Sequence, residues 1–243
     1  MSFKKSFITY AHRGASHYCP ENTLMSFYMG IQMGANGIET DVKKTKDGVL
    51  VLFHDDTLER ACGGAYGRVS DYTYRELLKF NVAKDGITDK IPTLDDFLSH
   101  FGHRNITFAI EIKDDGIEKE VVDAIYKYEI QDKTVVTSFE LDHIKNVKAY
   151  QPALRVGYLT RDTDDTVVKA LKNIGAEEIC PLGSRVTAQR VSELHELGFN
   201  VRAWGITNER LMKNVYDCGV DGMTTNFPDL LLAYIKEKSQ EKS

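Results

Sequence analysis

The sequence predicts an α/β fold, a closed (β/α)8 barrel with a small insertion after its second barrel strand. Eight short apolar runs alternate with helical patterns, which calls for a mostly parallel sheet covered by helices. Several helical patterns end on a glycine that leads straight into the next run, as at Gly175, Gly198 and Gly219. That is the spacing of one helix plus one strand. The chain has 243 residues, enough for eight such units around one core, and closure removes the edges an open sheet would expose. Residues 1–243 therefore read as a single barrel domain.

The strand runs are Phe7–Ala11, Gly37–Val42, Ile106–Ile112, Thr134–Phe139, Leu154–Leu159, Glu177–Cys180, Asn200–Trp204 and Asp221–Thr225. A ninth short run, Val49–Phe53, follows Asp47 and Gly48, a pair suited to a tight hairpin. After the first strand, Asn22 is placed to cap a helix with Leu24, Phe27, Tyr28 and Ile31 on one side. Thr187 is placed to cap another, with Val191, Leu194 and Leu197 inward. Ile117–Glu129, Leu141–Tyr150, Asp165–Ile174, Glu209–Cys218 and Leu230–Lys238 are also helical patterns. The segment from about 55 to 90 breaks the rhythm. It holds Gly63, Gly64, Gly67 and Gly86, with only a short helical piece at Tyr74–Lys79. It reads as an insertion over the top of the barrel, either a substrate lid or a packed surface excursion.

Composition narrows the function. At 42% hydrophobic and 28% charged, with 5 Pro, the chain is unlike a disordered one. A net charge of -5 disfavours a nucleic-acid partner but leaves room for a small phosphate ester beside local cations. Cys19, Cys62, Cys180 and Cys218 form no C-x-x-C unit, so neither a disulfide framework nor a zinc knuckle is expected. No run approaches ~20 apolar residues. The N-terminal residues are polar and charged and lack a signal-peptide core. Phe3, Phe7, Tyr66, Tyr72 and Tyr74 supply aromatics without an amphipathic anchor. These features predict a cytoplasmic protein without stable membrane insertion. The glycines between Cys62 and Gly67 match no nucleotide-binding fingerprint.

The chemistry gathers where strands end. His12 and Arg13 close the first strand, Glu39 and Asp41 the second, His54 the short hairpin run, and Glu111 and Lys113 the third. In a parallel barrel these ends share one rim. Acids at i and i+2 share a strand face, so Glu39 and Asp41 aim together. Three carboxylates in one cleft repel each other unless neutralised. A single hard divalent cation, Mg²⁺ or Ca²⁺, satisfies Glu39, Asp41 and Glu111 through oxygen ligands. The competing reading is a set balanced by Arg13, Lys113 and backbone donors. His12 and His54 beside such a cluster suit proton transfer on the two sides of a phosphodiester. His17, His100, His103, His143 and His195 lack that company, and His143 and His195 fall in helical patterns as surface or packing residues. Arg13 and Lys113 suit phosphate oxygens. Trp204 and Phe139 are each either pocket wall or core, and Asn208 is a helix cap or a ligand.

At these residues the sequence resembles the glycerophosphodiester phosphodiesterase family. The matching pieces are His12-Arg13-Gly14, Pro20-Glu21-Asn22-Thr23, Gly37-Ile38-Glu39-Thr40-Asp41-Val42, Thr45-Lys46-Asp47-Gly48, His54-Asp55, Thr57-Leu58-Glu59-Arg60, the run Gly67 to Thr73, and Glu111-Ile112-Lys113. The resemblance is dense to Thr73 and thinner to Asp229. It implies a metal-dependent enzyme that cleaves small soluble glycerophosphodiesters into sn-glycerol 3-phosphate and an alcohol. It further implies Glu39, Asp41 and Glu111 as ligands of a Ca²⁺ or Mg²⁺ ion and His12 and His54 as the acid/base pair. Arg13 and Lys113 correspond to phosphate contacts, with Trp204 beside the substrate. Phospholipase D-like cleavage of lysophospholipids and a non-catalytic headgroup-binding module are the alternatives. The family's tryptophan and asparagine after strand seven are separated here by one extra position, in Trp204-Gly205-Ile206-Thr207-Asn208.

Overall fold

The computed structural model describes residues 7–241. The charged N-terminal run and Phe3 lie outside them. The elements are β1 (Ile8–His12), α1 (Leu24–Gln32), β2 (Gly37–Lys44), β3 (Leu50–Leu52), α2 (Tyr74–Leu77), β4 (Val82–Lys84), β5 (Ile87–Asp89), α3 (Leu94–Phe101), β6 (Thr107–Ile112), α4 (Glu118–Lys127), β7 (Thr134–Ser138), α5 (Leu141–Tyr150), β8 (Arg155–Thr160), α6 (Asp165–Ile174), β9 (Glu178–Pro181), α7 (Ala188–Glu196), β10 (Asn200–Ile206), α8 (Glu209–Asp217), β11 (Gly222–Thr225) and α9 (Pro228–Gln240).

Eight parallel strands close in the order β1-β2-β6-β7-β8-β9-β10-β11, with β11 returning to β1. β3 adds antiparallel to the far end of β2, pairing Val42 with Leu52 and Lys44 with Leu50. The strands alternate with helices because neither can bury its apolar face alone. Phe27 of α1, Phe97 and Phe101 of α3 and Phe108 of β6 interlock in the main core. Inside the barrel, Arg202 is fully buried. It donates to Glu178 at 2.7 Å and Thr224 at 2.6 Å, and its guanidinium lies 5.1 Å from the Tyr10 ring centre. A buried charge of this kind is tolerable only when paired and hydrogen-bonded.

Two local readings are corrected by the fold, and one helix is added to them. Thr23, not Asn22, caps α1, accepting from Ser26 N. Asn22 takes a left-handed backbone (φ 55) and turns its side chain toward β2. Leu197 is 40% exposed rather than inward, because the helical part of α7 ends at Glu196. The stretch after the insertion contains a full barrel helix, α3, started by a capping box in which Thr93 and Asp96 bond each other's backbone N–H groups.

The segment 55–90 packs around an apolar cluster of its own. Leu58, Cys62, Val69, Leu77 and Val82 are buried there with Val51 and Phe53, separately from the main core. Lys43, buried in β2, holds it down by donating to Asp56 at 2.7 Å and to Asp114 at 2.8 Å.

Candidate active site

The C-terminal strand ends converge as their pattern requires. In register, His12 of β1 lies beside Glu39 of β2, and Asp41 lies beside Glu111 of β6. Ligand oxygens of Glu39, Asp41 and Glu111 lie within 4.8 Å of one another, and all three side chains are buried. A cavity of about 380 Å³ opens over them, lined also by His12, Arg13, His54, Phe139, Leu159, Arg161 and Trp204. Six of the eight residues singled out from the sequence therefore line one cleft, and Asp41 and Lys113 join it through their contacts with Arg13 and Glu111. The competing roles for Phe139 and Trp204 resolve to wall: the two rings meet edge to face at 4.8 Å. Trp204 Nε1 donates to the Thr160 carbonyl.

The chain between β1 and α1 is bent sharply to place Arg13. Arg13 has a left-handed backbone (φ 54), and its N–H donates to the Glu39 carbonyl at 2.9 Å. Gly14 follows at φ 83, where a Cβ would stand 2.4 Å from the Ser26 carbonyl carbon. No other residue fits that approach. Arg13 then donates to Glu21 at 3.0 Å and pairs with Asp41 at 3.0 Å. Lys113 donates to Glu111 at 2.8 Å and stands 3.6 Å from Asp41 Oδ1.

These two cations do not neutralise the cluster. Burial pushes the Glu39 carboxyl well above its ordinary range, and Asp41 and Glu111 push it further. Burial and then Asp41 raise Glu111 to about 7. Asp41 resists burial because Arg13, Lys113 and the Asn22 amide favour its charged form, and it is held below the usual carboxylate range. Asp41 Oδ1 is nonetheless buried with no hydrogen-bond partner. An orphaned carboxylate oxygen beside two acids that retain protons fits a cation-binding cradle. The donor set is all oxygen, which suits a hard divalent ion.

The two imidazoles are held differently. His12 Nδ1 meets Asn226 Oδ1 at 2.5 Å, leaving Nε2 3.8 Å from Glu39. Burial, reinforced by Arg13, lowers its pKa to about 4. His54 Nδ1 meets Asp55 at 2.6 Å. Asp55 accepts from Arg60, Arg60 donates to Glu21, and Glu21 accepts from Arg13. This chain of charges ties the insertion to the first-strand loop. His143, buried between Ser138 and Asp115, and His195, bonded to Asp221, lie outside the site.

Sequence reading missed four supporting residues. Asn22 donates to Asp41 at 2.9 Å and accepts from Thr40 at 2.8 Å. Asn226, Arg60 and Arg161 are the others. Asn22 and Arg60 lie in the motifs matched above, and Asn226 and Arg161 just past strand ends; their contacts, not their places, are what the sequence leaves unread. The extra position after Trp204 is absorbed as a β-bulge, in which Trp204 and Gly205 span the register shift between Ala203 and Ile206. Asn208 caps α8.

A closed parallel barrel that gathers acids, imidazoles and cations at the C-terminal ends of its strands defines a barrel enzyme. The chain belongs to the glycerophosphoryl diester phosphodiesterase family, whose model matches residues 12–230, and it is a phosphodiesterase. It is 34% identical to a glycerophosphodiester phosphodiesterase of Bacillus altitudinis, over 90% of this chain and 94% of that protein. It is 30% identical to one of Caldanaerobacter subterraneus subsp. tengcongensis, over 93% and 97%. Among solved structures, a phosphodiesterase of Oleispira antarctica, in complex with the product sn-glycerol-3-phosphate, superposes with a TM-score of 0.84 at 27% identity. That match covers 94% of this chain and 96% of that one. Among the described residues, no helix is long and apolar enough to cross a membrane.

Proposed function

We propose that the protein hydrolyses glycerophosphodiesters to sn-glycerol 3-phosphate and an alcohol, using one divalent ion and two histidines. The observation that carries this reading is the orphaned oxygen of Asp41, one of three clustered buried acids, under a cavity lined by both imidazoles. The product bound to the Oleispira antarctica relative supports the substrate class. Glu39, Asp41 and Glu111 would hold Mg²⁺ or Ca²⁺, and the ion, when bound, supplies positive charge for the phosphate oxygens.

The chain's own groups do the rest. Arg13 and Lys113 bind the phosphate and oppose its growing negative charge. Both histidines spend Nδ1 on a fixed partner, which orients each ring and leaves Nε2 for chemistry. One imidazole takes the proton of the attacking oxygen, that of water or of the glycerol 2-hydroxyl, as it bonds to phosphorus, and the other gives a proton to the alcohol oxygen as its bond to phosphorus breaks; where the 2-hydroxyl attacks, water then opens the cyclic phosphate. Phe139 and Trp204 shield that side of the cleft from water. The test is release of sn-glycerol 3-phosphate from glycerophosphodiesters with Mg²⁺ or Ca²⁺ and its abolition by chelator. Binding of substrate without turnover, or turnover indifferent to chelator, rejects the reading.

A further inference from the structure

Three cationic side chains line the cavity, and two are already paired. Arg13 is paired with Asp41 and Glu21, and Arg202 with Glu178. The third, Arg161, follows β8 directly and is exposed at the cavity. Among the described residues no carboxylate pairs with it; its only hydrogen bond is through its carbonyl, which accepts from Arg185. The acids next to it in sequence are occupied elsewhere. Asp162 pairs with Arg185, Asp164 caps α6, and Asp165 faces Arg190 at 3.8 Å.

Arg161 stands on the same side as Phe139, Leu159 and Trp204. That wall offers little to the hydroxyls of glycerol, since the indole N–H of Trp204 is already bonded to Thr160. Glycerol is better served near the acids, which places the leaving alcohol against the wall and within the field of Arg161. In a phosphodiester series the glycerol half is constant and uncharged. The guanidinium therefore senses only the charge of the alcohol.

We propose that Arg161 makes this site selective for the charge of the leaving alcohol, favouring alcohols that carry a carboxylate or phosphate over those that carry a quaternary ammonium. The inference rests on the proposed hydrolysis. A unit charge about 6 Å from the guanidinium, in partly solvated surroundings, changes transition-state binding by roughly tenfold. The attraction is screened by salt, because the side chain is open to solvent.

The experiment compares kcat/KM for glycerophosphoglycolate, glycerophosphoglycerol and glycerophosphocholine, which leave an anionic, a neutral and a cationic alcohol. The wild type is expected to prefer them in that order, with a spread of about tenfold between the extremes at low salt that shrinks at high salt. Arg161→Gln is expected to collapse the spread, and Arg161→Glu to invert it. A spread equal in wild type and Arg161→Gln overturns the assignment. Should the variants fold poorly, the wild type alone decides: no charge order, or an order indifferent to salt, overturns it as well. Turnover of all three without charge order defeats only the selectivity, whereas turnover of none defeats the hydrolytic reading beneath it.

Discussion

Glu111 is a buried acid that retains a proton near neutrality when no cation is present, so it makes stability depend on pH in a direction opposite to most carboxylates. Its carboxyl rises from an ordinary 4.5 to about 7 on folding. A group whose pKa is raised by folding contributes its stability below the unfolded value and loses it as pH climbs through the folded one. At about 1.4 kcal/mol per pH unit, the metal-free protein forfeits on the order of 3 kcal/mol through this residue between pH 4.5 and 7. Glu111→Gln has no charge to bury and escapes that loss. Relative to wild type, the metal-free variant should therefore gain on the order of 3 kcal/mol on going from pH 5 to pH 8. Contributions of His12 and His54, which run the other way, are common to both proteins, whereas Glu39, raised by burial, Asp41 and Glu111, loses the Glu111 part of that rise in the variant and widens the gap in the same direction. The pull of Lys113 on the Glu111 charge is already contained in the value of about 7, since Lys113 is among the groups that hold it down. The assay is urea unfolding with EDTA, wild type against variant, at both pH values. With saturating Mg²⁺ or Ca²⁺ the wild type should recover its deficit at pH 8, because the cation does the work of the proton. A difference between the two proteins that stays the same from pH 5 to pH 8 refutes the reasoning.

Other substitutions test other parts of the site. His54→Ala should lower turnover by about 10²–10⁴ while leaving metal affinity nearly intact; near-wild-type turnover at saturating metal removes His54 from the chemistry. Arg60→Ala breaks the bonds to Glu21 and Asp55, and misplacement of the His54–Asp55 pair should cost about tenfold or more in kcat. Arg60→Lys should recover part of that, and an unchanged kcat in the alanine variant shows that the chain of charges is ornamental. Gly14→Ala forces a Cβ to 2.4 Å from the Ser26 backbone at φ 83 and should destabilise the protein by at least about 1–3 kcal/mol. An unaltered melting temperature contradicts the packing described for that turn.

The barrel was legible because buried parallel strands are continuous apolar runs, and each barrel strand lies within two or three residues of its run. The cluster of acids and histidines was legible for the same reason, since each sits at the end of such a run. What escaped notice has two causes. β4 and β5 are short and mostly exposed, so no alternation marks them. The helix α3 carried both a Thr93–Asp96 capping box and the i, i+3, i+4, i+7 spacing of Leu94, Phe97, Leu98 and Phe101, and went unread only because it adjoins the irregular insertion. Asn22 was misassigned because asparagine and threonine are both good caps and stand side by side; only the left-handed turn at Asn22 separates their roles. Arg60 and Glu21 meet across 39 residues, and contacts between distant segments leave no spacing to read.

The insertion alters how this enzyme is expected to fail. His54 and Asp55 leave β3 into a segment with an apolar nucleus of its own, built on Leu58, Val69 and Leu77. The eight-stranded scaffold owes that nucleus little. Loosening it by trimming Leu58 ought to blunt catalysis well before the barrel melts. Heat inactivation and global unfolding would then part company, and reactivity could be retuned through this one segment with the scaffold untouched.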